Sequence, residues 1–251
     1  MAKAKSQKNE RQAKIDAIRG QQQSAERRRG LMIIGVCVVL ALLIIAFPVY
    51  SILKDRAELS AFEDLDLAAI GAPASSCDDI TTETASGASQ HVPYPEQVTY
   101  PEAPPAFGNH WNEAGIAPAA FDRKYYSAED RPELESLVHN LEHGYTILWY
   151  DETIAQDEAA VTEIRGLAAK FSGDPENQRT KFIAAPWTGE DGDAFPDDMH
   201  VAFSHWSVGG DGDPSGEQTG VWQYCSETSG EALDVFMTEY PYTDSPEPNA
   251  A

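Results

Sequence analysis

The chain has 251 residues, with 18 Lys and Arg against 41 Asp and Glu, for a formal net charge of −23. That charge is unevenly divided: residues 1–30 carry nine bases and three acids, residues 31–53 carry none, and residues 54–251 hold the remaining nine bases and 38 acids, a net of −29. A block that acidic does not hold nucleic acid by counterion release, and the +6 head is too short to be a nucleic-acid-binding domain.

Residues 1–30 are rich in Gln, Lys and Arg and read as a basic cytoplasmic tail, a solvated segment or marginal helix drawn to anionic lipid. Leu31 to Leu53 reads LMIIGVCVVLALLIIAFPVYSIL. At ~1.5 Å per residue this run spans the ~30 Å hydrocarbon core of a bilayer, which predicts a transmembrane helix. A cleaved signal peptide would have a shorter apolar region and a small-x-small cleavage site; here the run ends on Pro48, Val49 and Tyr50. Arg27, Arg28 and Arg29 abut one end, against Lys54 and Arg56 at the other. The positive-inside bias then places the N-terminus in the cytoplasm and the large C-terminal part outside, in a single pass. Cys37 lies within the apolar run and reads as a small hydrophobe. Cys77 and Cys225 both fall in the external part, where an oxidising compartment favours a disulfide closing a loop of about 150 residues; two independent thiols are the alternative.

Residues 54–90 read as stalk and linker, with loose helical spacing to Ile70 and an Ala/Ser/Thr/Gly-rich stretch after it that Cys77 could pin to the domain. The folded domain is expected over residues 91–240. Five prolines between Pro93 and Pro105 impose an extended, irregular strap. Pro132 to His143, closed by Gly144, has the start-Pro, stop-Gly signature of a helix. Tyr145–Tyr150 is β-branched and aromatic, hence a strand; residues 155–171 show helical spacing; Lys181–Ala185, Met199–Trp206 and Val221–Cys225 read as strands; Ser229–Tyr240 reads as a final helix. The expected fold class is α+β, one extracytoplasmic domain with a mixed or antiparallel sheet and about three helices behind one transmembrane helix. Residues 241–251 are Pro-rich and acidic and read as a disordered tail.

All six histidines, His91, His110, His139, His143, His200 and His205, fall in the external domain. His139-Asn-Leu-Glu142-His143 is the sharpest pattern. At ~100° per residue, His139, Glu142, His143 and Glu135 share one helix face while Leu134, Leu137, Val138 and Leu141 share the opposite one. The His/Glu face must therefore meet solvent, a partner or a second polar layer. H-x-x-E-H is also the inverted zinc-peptidase pattern, although Gly144 and a strand follow at once and no further ligand motif is recognisable. A second reading is a Zn or Cu site completed by a loop histidine, His110 or His91. A third is a set of polar side chains that tie loops to the helix by hydrogen bonds. His110 lies in Phe-Gly-Asn-His-Trp, beside Trp111, where a packed turn or a site both fit. Strand alternation separates His200 from His205, so one metal does not take both without a bulge. Glu190–Asp193 and Asp211–Asp213 look like fragments of calcium loops but lack the ligand spacing of an EF-hand and read as solvated turns. There is no Walker loop, dinucleotide fingerprint or G-x-S-x-G.

At His91-Val-Pro-Tyr94, Pro104-Pro105, Gly108-Asn-His110-Trp111, Gly115, Pro118 and above all Val138-His-Asn-Leu-Glu-His-Gly144, the sequence resembles the DUF3105 family, actinobacterial membrane-anchored proteins defined by a domain of unknown function. The resemblance covers His91 to Tyr240, and its motif positions are His110, His139, Asn140, Glu142, His143 and Gly144. It implies a one-span anchor, an external α/β-type domain and a bacterial envelope location, and it implies no particular reaction. The departure is the loop Phe107–Asn109, after which Trp111 is immediately adjacent to His110.

The functional expectation is a non-enzymatic accessory or metal-binding protein acting through the His/Glu helix face. The alternative is an accessory subunit of an envelope or respiratory membrane complex, recruited by its acidic surface. A zinc-dependent hydrolase ranks third.

Overall fold

The computed structural model describes residues 2–85, 90–210 and 217–250, so Asp211–Asp213 lie outside the described residues. The chain divides into two compact units, Met1–Ala57 and Glu58–Ala251. In the first, residues from Ala2 onward belong to a 62-residue helix, α1 (Ala2–Glu63), that runs past the unit's end and carries Pro48. Its stretch from Arg27 is long and apolar enough to cross a membrane, and no residue in the apolar window is buried by protein. Within it, residues 31–53 carry no charge and expose Leu, Ile, Val and Phe, which suits an apolar solvent.

The second unit begins within the last turns of α1 and continues through two 3₁₀ turns, Leu67–Ala69 and Ala74–Ser76, to strand β1 (Thr81–Thr84). Two short strands, β2 (His91–Val92) and β3 (His110–Trp111), precede helix α2 (Leu134–Glu142). Then come β4 (Thr146–Tyr150), the single turn α3 (Glu152–Ala155), α4 (Glu158–Lys170), β5 (Phe182–Pro186), β6 (Val201–Ser207), β7 (Thr219–Cys225) and α5 (Gly230–Glu239). The main sheet is mixed, in the order β1-β7-β6-β4-β5, with only β4 and β5 parallel. That parallel pair is joined by α4, as a crossover connection requires. The mixed sheet and the α+β class are as expected.

The period of two along β4 divides the core. Ile147 and Trp149 enter one cluster with Leu134, Leu137, Val138 and Leu141 of α2, while Leu148 and Tyr150 enter another with Ile164 and Leu167 of α4 and Leu233 and Phe236 of α5. α2 thus packs on one face of the sheet and α4 and α5 on the other. Asp157 caps α4 by accepting from the amides of Ala159 and Ala160, and Ser229 caps α5 by accepting from that of Ala232.

Three boundaries differ from expectation. Residues 71–85 do not act as a linker: β1 pairs antiparallel with β7, and Cys77 forms a disulfide with Cys225 across 148 residues. Ile70 is buried in the second cluster, so the fold begins near Glu58 rather than His91. The expected disordered tail is packed instead. Asp244 and Ser245 are buried, and the Asp244 carboxylate accepts from Ser207 Oγ and from the amides of Val208 and Gly210. Lys181, 1% exposed, donates from Nζ to the carbonyls of His143 (2.8 Å), Pro248 (3.0 Å) and Ala250 (2.9 Å). Composition marked this segment as solvated, but partners remote in sequence supply its hydrogen bonds.

Burial pushes the Lys181 ammonium down to about 8, so it remains largely charged at neutral pH and holds the tail as a cation among carbonyls. Lys181→Met should strand those acceptors, at a cost of about 1–3 kcal/mol for each that stays buried. The expected result is a lower denaturant midpoint together with new proteolytic cuts between residues 241 and 250. An unchanged digestion pattern would show that the lysine does not hold the tail.

Candidate metal centre

α2 has no exposed residue. Its leucines face the sheet, and its polar side is covered by the strap of residues 90–119, which is tied down by side chains reaching backbone. Glu135 Oε1 accepts from the amide of Val98 at 2.6 Å, and Ser136 Oγ donates to the Ile116 carbonyl at 2.7 Å. Asn140 accepts from the amide of Ala119 through Oδ1 and donates to its carbonyl through Nδ2. The expected second polar layer is therefore this strap, and the loop-tying reading holds for these residues.

The histidines do more. β2 and β3 pair in parallel with His91 opposite His110 and Val92 opposite Trp111, which sets two imidazoles side by side over α2. Ring centroids lie 4.9 Å apart for His91 and His110, 4.9 Å for His110 and His139, and 5.4 Å for His91 and His139. One ligand atom from each of His91, His110, His139 and Glu142 falls within 4.8 Å of all the others. His110, His139 and Glu142 are buried and His91 is exposed, so the cluster opens to solvent on the His91 side.

The hydrogen bonds set the tautomers. His110 Nδ1 is 2.8 Å from the Gly108 carbonyl and His139 Nδ1 is 2.5 Å from the Trp111 carbonyl. A carbonyl only accepts, so each Nδ1 carries a proton and each neutral ring directs the Nε2 lone pair elsewhere. For His110 that lone pair meets Glu142 Oε2 at 2.9 Å; His91 Nε2 lies 3.6 Å from the same oxygen. Two acceptors at 2.9 Å repel unless a positive charge lies between them, either a proton that makes His110 an imidazolium or a cation. Ligand-to-ligand edges around a tetrahedral Zn with ~2.0–2.1 Å bonds are about 3.3 Å, and these two distances bracket that value. The tryptophan beside His110 supports the geometry: its carbonyl orients His139, its Nε1 donates to the Glu96 carbonyl at 2.6 Å, and its ring meets Tyr94 edge-on at 4.9 Å.

Burial, with neighbouring His143 and His110, drives His139 down to about 4. Burial raises the Glu142 carboxyl, but the His110 hydrogen bond and the electrostatic influence of the neighbouring imidazoles of His110, His139 and His91 outweigh it and hold the group below its usual range. At neutral pH the centre therefore offers a neutral imidazole on His139 and a carboxylate on Glu142.

The remaining candidates separate. His143 does not join this set. It is the C-cap residue (φ −80°, ψ 5°) and keeps the face shared with His139 and Glu142, but its ring turns towards the tail. Its ring meets that of His139 edge-on at 4.4 Å, while its Nε2 lies 3.6 Å from Glu247 Oε2. The peptidase pattern needs His139 and His143 on one ion with Glu142 outside the ligands; instead Glu142 is among the ligand atoms and His143 belongs to a separate group. Gly144 has φ +88°, and a Cβ there would lie 2.3 Å from the Tyr242 carbonyl, so only glycine ends α2 against the tail. His200 is hydrogen-bonded to Asp151 at 2.8 Å, and His205 is fully buried between the carbonyls of Tyr145 and Asp244. In Glu190–Asp193, Asp191 is paired with Arg131 at 2.7 Å and receives the Thr188 amide, which leaves a structural turn. Glu247 was missed because it lies in the segment read as disordered.

A three-histidine, one-carboxylate cluster, buried except at His91, on an α+β sheet domain is the class of site and fold defined here. The chain belongs to the DUF3105 family, a protein family of unknown function, which matches residues 91–251. No curated protein matches the chain, and no solved structure does.

Without bound metal, the depressed His139 makes folding pH-sensitive. The unfolded residue takes a proton near pH 6.5 and the folded one only near 4, so the unfolded state binds more protons between those values and stability falls as pH drops from 6.5 towards 4. His139→Gln should flatten the pH dependence of the urea midpoint across that window, by up to about 1.4 kcal/mol per pH unit. Parallel curves for the two proteins would contradict the assignment.

Proposed function

We propose that the protein is a single-pass membrane protein whose envelope-facing domain binds a transition metal ion through His91, His110, His139 and Glu142, in a non-enzymatic accessory role. The observation that carries the reading is the convergence of three imidazole nitrogens and one carboxylate oxygen within 4.8 Å, with His110 and His139 each anchored through Nδ1 on a backbone carbonyl. That anchoring fixes ring orientation and leaves Nε2 as the donor, as metal-ligating histidines require. The donor set holds no sulfur, so it suits Zn(II) or Cu(II) rather than Cu(I). The anchor reading rests on the apolar helix from Arg27, and the N-in orientation on Arg27–Arg29. The disulfide supports an oxidising compartment for the domain.

A second reading, supported by the net −29 of residues 54–251, makes the protein an accessory subunit that docks a basic partner in an actinobacterial envelope or respiratory complex. Recovery of stoichiometric partners with a tagged native copy would favour it.

The full chain, purified in mild detergent, stripped with chelator and dialysed against Zn or Cu, should retain metal by elemental mass spectrometry. His91→Ala removes a partly exposed ligand without opening the core and should weaken binding by at least the 10–100-fold typical of disturbing ligand support; His139→Gln should weaken it further. Metal at 100 times Kd should add about 2.7 kcal/mol of stability to the wild type and little to His139→Gln. Equal retention by wild type and both variants would overturn the site.

A further inference from the structure

Glu142 belongs to two groups. Besides the three-histidine cluster, its carboxylate shares a 4.8 Å neighbourhood with His143 and Glu247. Glu247 is carried there by the packed tail. Its amide donates to the Glu142 carbonyl at 2.9 Å, and Lys181 clamps the His143 carbonyl together with those of Pro248 and Ala250. Two carboxylates are thus built against one buried imidazole, with the Glu142 side chain only 7% exposed. Glu247, 52% exposed at its side chain, leaves a way in from solvent.

We infer that Glu142 is a bridging carboxylate and that Glu142, His143 and Glu247 hold a second divalent cation beside the first. This rests on the metal reading above. A carboxylate has two oxygens and can bind one ion through each, as in two-metal centres with ions about 3.5–4 Å apart. The positions differ in kind. The first has four protein ligands, three of them nitrogen, which closes a tetrahedron. The second has three, two of them carboxylate oxygens, which accepts Zn(II) but also suits a harder divalent ion such as Mn(II), and leaves coordination open to water or a ligand. The first ion would exchange slowly and the second readily.

The test is equilibrium dialysis of the full chain in mild detergent against Zn(II), with millimolar Mg(II) occupying the acidic surface and elemental mass spectrometry counting zinc. The wild type should take two zinc ions per chain in two affinity steps. Glu247→Gln, an exposed substitution that leaves the core intact, and His143→Gln should each take one, with the tighter step unchanged within about threefold; Glu142→Gln should lose both steps. Circular dichroism would establish that each variant is folded. One ion in the wild type and in Glu247→Gln alike would overturn the second position while leaving the first standing. No zinc in the wild type would overturn the metal reading itself. Two ions surviving in Glu247→Gln would place the second elsewhere, and loss of a single step in Glu142→Gln would overturn the bridge.

Discussion

The domain from Glu58 onward depends on a nine-residue helix that has no solvent face. α2 presents leucines to the sheet and Glu135, Ser136, His139, Asn140 and Glu142 to the strap. Burying five polar side chains on one helix is tolerable only when each finds a partner. The strap supplies those partners mainly as backbone amides and carbonyls: outside the two-residue pairing of β2 with β3 it forms no ladder of its own, which leaves backbone groups available to α2. The strap is held by the helix as much as it covers it, and the histidine cluster forms where the two meet.

The cluster is assembled from segments far apart in the chain. His91 and His110 come from paired two-residue strands, His139 and Glu142 from α2, and Glu247 from the tail. None of these distances exists before the sheet, the strap and the helix have come together, so binding of an ion there would be linked to folding of the domain. The carbonyls of Gly108 and Trp111 set which imidazole nitrogen is protonated, a role invisible in residue identity because any residue has a carbonyl.

Much of the frame was legible in residues. The β-branched and aromatic run Tyr145–Tyr150, the leucine stripe of α2 and the Pro132/Gly144 boundaries are local composition, periodicity and punctuation, and those are what a single sequence expresses. The importance of His139 and Glu142, and the suggestion that His91 or His110 could complete the set, came from helical spacing and a histidine count. The losses occurred where the deciding partner is distant. Thr81–Thr84 shows no amphipathic alternation and becomes a strand only because β7 lies beside it. Asp244 and Glu247 sit in a composition that ordinarily stays in water, and are ordered by Ser207, Lys181 and the end of α2. His143 lies beside His139 and Glu142 as the helical period implies, but its grouping with Glu247 depends on the distant tail.

The edges of the main sheet show how much of the domain lies upstream of its most recognisable part. On one side the Lys124–Tyr126 loop covers β5 by exchanging hydrogen bonds with Ala184; on the other β1, four short polar residues, covers β7. The family match begins at residue 91, ten residues after β1 starts. A chain cut at that boundary would keep the histidine cluster but bare the backbone of β7 along its free edge and leave Cys225 without its partner. An uncovered strand invites pairing with a second copy, so the segment that looks like a tether is also what keeps the folded domain from assembling edge to edge.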